Sequence, residues 1–249
     1  MKVKFIIISV YCLFASTLLW AQSNDTLMIY GPGGPAAAMK ECAGLYTLKY
    51  STPIKIIAGP EGKWINDAYK NADLVFGGAE YMLTQFDKNH PGLIDNATRT
   101  ELYKRAAGIL VRPGNPKNIH SLKDLTLPGV NILEVIGAGQ LGMWEDLAGK
   151  QNIIGDIQKN IKGAAANTAL VIDTWKKDDK FDAIIIFSSW YYRLKDVSSL
   201  VTIPSSQTVY RGTPIAITSI TKHKQTAAHF IEFLLSEEGH NIFKKWGWE

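Results

Sequence analysis

The chain has 249 residues, 46% hydrophobic and 20% charged, with a formal net charge of +4. This composition excludes a disordered or fibrous chain and leaves length for one large domain or two small lobes, each with its own core. Lys2 and Lys4 belong to a distinct opening segment; without them the net charge falls to +2, no electrostatic footprint for nucleic acid.

Residues 1–21 read as a secretory signal peptide. An apolar run from Phe5 to Trp20 follows the two lysines, and Ala21 precedes polar Gln22-Ser23-Asn24-Asp25. The run is short for a membrane anchor, so cleavage is expected near Ala21, with Ser23 as the alternative, and the product is expected in the periplasm. Cys12 lies in no lipobox and leaves with the peptide. Cys42 then stands alone without a disulfide. No Cys/His cluster has metal-ligand spacing, and no metal or cofactor is expected. No later segment is long and apolar enough to cross a membrane.

Short strands and helices alternate after this. Thr26–Tyr30 reads as a buried strand, the 31–35 stretch (GPGGP) as a turn and Ala36–Tyr46 as a helix. Ile54–Ala58 is the next strand, the 59–62 stretch (GPEG) its turn, and Lys63–Asn71 a helix with Trp64, Ala68 and Asn71 on one face. Asp73–Phe76 is a third strand, ended by Gly77-Gly78. An apolar Ala106–Val111 stretch leads to the turn 112–116 (RPGNP), and Ser121–Asp124 starts a short helix. Val130–Val135 reads as a strand, Gly137–Gly142 as a glycine-rich loop and Met143–Ala148 as a helix. Asn167 precedes a helix carrying Leu170, Val171 and Trp175. Phe181–Phe187 is a buried strand, and Val201–Pro204 and Val209–Thr218 are extended. Thr226–Lys245 reads as one long amphipathic helix. The rhythm predicts an α/β fold, with parallel sheets flanked by helices.

In such sheets ligands sit at the carboxyl ends of strands, where the next helices begin. Helix starts offer free backbone N–H groups to anions. Gly33-Gly34, Gly62, Gly77-Gly78 and Gly137–Gly142 all fall at such places. Each alone fits an ordinary tight turn; together they fit a ligand cleft. The sequence GAGQLG (137–142) matches GxGxxG, but it lies mid-chain without an acidic partner at a suitable strand end, so a dinucleotide site is not expected. The Gln140 amide and loop N–H groups suit an anion better. Trp64 fits either a ligand wall or the core. Asn167 and Thr168 fit either helix caps or ligand contacts. Ser188 and Ser189 end a strand with hydroxyl donors. Arg211 fits either a surface ion pair or bidentate pairing with a carboxylate or phosphate. Enzyme signals are poor: there is no GxSxG, the five histidines lack an evident nucleophile partner, and no carboxylate pair stands out. No catalytic residue is expected.

The stretches LMIYGPGGPAAAMK, GPEGKW, DLVFGGAE, VRPGNP with SLKDL, GMWEDLAGK, VYR and IFKKWGW resemble the type 2 periplasmic solute-binding proteins. Together they look like the branch containing accessory colonization factor AcfC, which is related to molybdate- and sulfate-binding proteins. YGPGGP and GMWED are the most specific, whereas VRPGNP, SLKDL and the terminal helix are shared with the molybdate-binding relatives and identify only the broader fold. The resemblance implies a two-lobe binding protein, each lobe a mostly parallel sheet flanked by helices. Lobe one would be 22–107 plus 208–249, and lobe two 108–207, with crossings near Ala106–Val111 and Val201–Tyr210. The contacting positions it implies are Gly33, Gly34, Lys63, Trp64, Gly78, Ala79, Gly139, Gln140, Leu141, Asn167, Thr168, Ser188 and Arg211. Two departures change the donors: GAGQLG stands where the branch often has serine and threonine, and FSSW where relatives can carry an acid. The implied partners are a small anionic ligand and an ABC-transporter membrane component. Some relatives are homodimers, but no interface is legible. Three functions stay open: capture of a phosphorylated or carboxylated metabolite, capture of a tetrahedral oxoanion (sulfate, molybdate or phosphate), and a surface antigen or adhesin with a vestigial cleft.

Overall fold

The computed structural model describes residues 26–249. The signal-peptide reading, including Cys12 and cleavage near Ala21, falls outside the described residues.

Strand β1 (Leu27–Gly31) lies between parallel neighbours β2 (Ile54–Ala58) and β3 (Leu74–Phe76). Helices α1 (Ala36–Tyr50) and α2 (Ile65–Asn71) return the chain between them, and α3 (Glu80–Asn89) follows β3. Parallel pairing requires such crossovers. Every residue of β3 is buried, as a strand covered on both faces should be. The carboxylate of Asp73 accepts the N–H of Met28 at 2.8 Å and anchors β3 beside β1.

The twelve-residue strand β4 (Thr100–Val111) joins two sheets. Its first part pairs antiparallel with β9 (Tyr210–Ile217), which also lies against β3. Its second part, from Ala107, pairs with β7 (Ala183–Phe187) on one edge and β8 (Ser199–Thr202) on the other. Beyond β7 lie β5 (Ile132–Val135) and β6 (Ile161–Ala165), both parallel. Helices α4 (Met143–Gly149), α5 (Ile154–Asn160) and α6 (Thr168–Lys177) connect β5, β6 and β7, and α7 (Tyr191–Leu194) follows β7. The strand order is β2-β1-β3-β9-β4-β7-β5-β6, with β8 on β4.

Two main cores result. Leu27, Ile29, Met39 and Phe76 pack with Ile215, Phe230, Phe243 and Trp248, so one core needs both early and late parts of the chain. A satellite around Trp64, Leu83 and Phe86 lies beside it. The other core, including Ile109, Leu133, Trp175 and Phe187, is drawn wholly from residues 107–209. Where the chain passes between them, Ala107 N–H donates to Val209 O at 2.8 Å, and Thr208 Oγ1 donates to Ala107 O at 3.0 Å.

The expected Thr226–Lys245 helix is two helices, α8 (Lys224–Leu235) and α9 (Glu237–Lys245). Ser236 breaks them by adopting φ −68°, ψ 167° and accepting the Gly239 N–H on its hydroxyl at 3.3 Å. Glu237 and Glu238 then fill the first turn of α9, where acids favour the helix dipole. The chain also forms α3, the start of β4, α5 and β6, which the hydrophobic pattern leaves unread. Among the described residues no helix is long and apolar enough to cross a membrane, and no His/Cys/Asp/Glu group could hold a metal ion.

Candidate functional site

The carboxyl ends of β1, β3, β5 and β7 converge on a cleft of about 480 Å³ between the two cores. One wall is built by Pro32–Gly34 after β1, the 59–61 turn with Trp64 after β2, Gly77-Gly78 after β3, and the inner face of α3. The other holds Gly137, Gly139 and Gln140 after β5, the 166–169 stretch with Ile172 on α6, and Phe187 with Trp190 and Arg193 after β7. Helices α1, α3 and α6 therefore begin at its edge.

Arg105, on β4 between the two sheets, lines the cleft and is only 2% exposed. Its guanidinium stacks 4.0 Å from the Phe187 ring centroid and 5.4 Å from that of Trp248. One nitrogen, Nη2, donates to the Gly78 carbonyl. Nε and Nη1 have no hydrogen-bond partner. Gly34 leaves the room this side chain needs, since a Cβ there would lie 2.8 Å from Nη1. Burial pulls the guanidinium pKa down to about 9, and nearby Tyr81 and Glu80 push it back up. The side chain is still a cation at pH 7, buried, with Glu80 nearby but no carboxylate hydrogen-bonded to it.

The facing wall supplies polar groups of the opposite lobe. Gln140 is buried; its Nε2 donates to Thr168 Oγ1 at 3.2 Å, and its Oε1 has no partner. Asn167 caps α6 by accepting the Leu170 N–H at 3.0 Å. Hydrogen bonds and an ion pair join the walls. Leu141 N–H donates to Tyr81 Oη at 3.0 Å, Arg193 Nη1 donates to Gly33 O at 3.1 Å, and Arg211 pairs with Asp146 at 2.8 Å.

Of the residues expected at the site, Gly33, Gly34, Trp64, Gly78, Gly139, Gln140, Asn167 and Thr168 line this one cleft. Five do not. Lys63 ends a 3₁₀ turn and points to solvent. Ala79 is fully buried beneath the start of α3. Leu141 is 66% exposed, so only its backbone faces Tyr81. The hydroxyl of Ser188 is spent on Ala106 O at 3.0 Å. Arg211 is held by Asp146 on the cleft's outer edge. Trp64 is both core and wall: it is 5% exposed, and its indole N–H donates to Gly59 O at 3.1 Å. Arg105, Arg193, Met82 and Phe86 line the cleft without having been expected there. A signal for Arg105 exists: it is a lone arginine abutting the apolar run AAGILV.

Among solved structures, PEB3 with L-phospholactate bound is 31% identical, with a TM-score of 0.82 over 90% of this chain and 99% of that one. A second PEB3 structure, from Campylobacter jejuni, superposes equally widely with a TM-score of 0.81 at 31% identity. The sulfate-binding protein SubI of Mycobacterium tuberculosis (18% identity, TM-score 0.73, 90% and 86% covered) shares the fold. So does the Azotobacter vinelandii periplasmic molybdate-binding protein (14%, 0.68, 90% and 98%). No curated protein sequence matches the chain. The fold is thus the two-lobe type 2 periplasmic binding architecture. The model of the bacterial extracellular solute-binding proteins matches residues 27–249, and the chain belongs to that family.

Proposed function

We propose that this protein is an exported, non-catalytic receptor that captures a small organic anion, a phosphorylated or carboxylated metabolite, by closing two lobes around it. The observation that carries this is Arg105: a buried cation with two unpartnered nitrogens at the wall of a cleft ringed by helix starts. Burying a charge without a partner is costly, and a site that does so is poised for a ligand of opposite sign. Hydrogen bonds to an ionised acceptor are worth roughly 1.5–3 kcal/mol each, so Arg105, Gln140 and backbone amides together suffice for micromolar capture after ordering costs. The likeness to PEB3, whose structure holds L-phospholactate, supports the organic-anion class, and the YGPGGP and GMWED stretches support placement in the AcfC-like branch.

The lobes in this reading are 22–107 with 208–249, and 108–207, in keeping with the two cores. The anion bridges Arg105 on one side and the Gln140–Thr168 group on the other, shifting the population toward the closed form. The periplasm is the compartment, and an ABC-transporter membrane component the downstream partner.

A thermal-shift panel of L-phospholactate, sulfate, molybdate, phosphate and small carboxylates tests the reading. A ligand at 100 times its dissociation constant adds about 2.7 kcal/mol of stability, a shift of several degrees. Stabilisation by organic anions is the expected result. Stabilisation by sulfate or molybdate alone would make this an oxoanion receptor, and silence from every anion would leave an adhesin with a vestigial cleft.

A further inference from the structure

The geometry points to a narrower ligand class: a compact anionic head group attached to a bulky apolar body, such as an aryl or branched-alkyl acid. The inference rests on the anion-capture reading above and adds what the rest of the molecule must be.

Charge in the cleft is scarce. Its charged lining side chains are Glu61, Arg105 and Arg193. Glu61 is engaged by His90 Nε2 at 2.9 Å. Arg193 gives one N–H to Gly33 O and lies over the Trp190 ring, 4.6 Å from its centroid, which ties it to the mouth where the two walls meet. At the buried end the two unpartnered nitrogens of Arg105 match a carboxylate or an equivalent head.

Hydrogen-bonding side chains are equally few. Gln140, Asn167 and Thr168 stand together on one wall, and the Asn167 carbonyl is already spent capping α6. The remainder is apolar: Leu83 and Phe86 on α3, Val75 on β3, Ile172 on α6, and Trp64 with its N–H already satisfied. The Met82 thioether lies 3.2 Å from where a Cβ at Gly78 would stand and 3.4 Å from the same point at Gly139. It therefore reaches between the walls as a soft, adaptable contact. Away from the glycine turns, a polyhydroxylated body would leave hydroxyls without partners against these side chains, whereas a ring or branched chain would be welcome. The size agrees. About 480 Å³ falls in the roughly 300–1,000 Å³ range of sites for drug-sized organic molecules and far exceeds a four-oxygen ion.

The test is titration calorimetry at pH 7.5 on the signal-free protein, with acetate, butyrate, hexanoate and 3-phenylpropionate, all singly charged, and with sulfate and L-phospholactate as compact anions. Affinity is expected to rise about fourfold per added methylene, with 3-phenylpropionate the tightest of the six. In Ile172→Thr, 3-phenylpropionate should weaken about fivefold or more, and by more than acetate does. A flat carboxylate series, or L-phospholactate or sulfate binding tighter than 3-phenylpropionate, overturns the apolar-body inference and leaves anion capture standing. Failure of all six to bind removes both. The wild-type series decides the matter even if the Ile172 variant does not fold.

Discussion

Arg105 holds a positive charge where almost no water reaches it, and the fold bears that cost for the sake of the site. Exchanging it for methionine keeps volume and removes the charge. Arg105→Met should therefore unfold, in scanning calorimetry without ligand, at or above the wild-type temperature, because uncharged replacements of buried ions are often neutral or stabilising. The same variant should bind anions at least about a hundredfold more weakly, about 2.7 kcal/mol. The sign of the pH effect follows from the lowered pKa. Below about pH 9 the free protein already carries the proton, so carboxylate affinity should be flat from pH 6 to 8. Above it the free protein loses a proton that the complex keeps, so affinity should fall. A variant that melts far earlier yet binds normally would show Arg105 to be structural. The residues of this site were unevenly legible in the sequence. Glycines at strand ends announced the walls, because close backbone approach has few alternatives. Arg105 was harder to read: beyond its place beside AAGILV, its partners Gly34, Gly78 and Phe187 come from two turns and a strand end that no local pattern connects.

Elements with clear periodicity or strong turns were legible: β1 to β3, β5, β7 and the start of α6 all form close to where the pattern puts them. Others were not, for identifiable reasons. The edge strand β6 carries Lys162 and Gly163 and alternates weakly in burial, so it resembles a loop. The α8–α9 break was masked by an apolar stripe that continues across it, although Ser-Glu-Glu is a helix-start signature. Ser236 is the device that makes the break. Ser236→Ala should lower unfolding free energy by about 1 kcal/mol in urea titration, with the slope unchanged. An unchanged midpoint would mean that the packing of Ile242 and Phe243 alone sets the bend.

At the scale of the whole molecule, the contacts between walls decide how closing is weighted. Arg211 and Asp146 face each other across the cleft's edge with side chains 22% and 54% exposed. A pair so wetted contributes roughly 0.2–1 kcal/mol. Arg211→Ala should accordingly weaken anion binding by only about 1.4- to 5-fold, and Asp146→Ala by a similar factor. The double variant should be no worse than either single one, because both remove the same contact. A tenfold or greater loss confined to Arg211→Ala would instead place its guanidinium on the ligand.

The division of labour between the two cores also sets an order of assembly. Everything that Trp175 and Phe187 pack against in their core is present once the chain has been made as far as residue 209. Leu27 and Phe76, synthesised far earlier, must wait for Phe230, Phe243 and Trp248 at the other end of the chain. A chain made from its N-terminus onward can therefore complete its middle first. Its opening strands stay unsheltered until the last few residues arrive, and that interval is when a chaperone or a protease would find them.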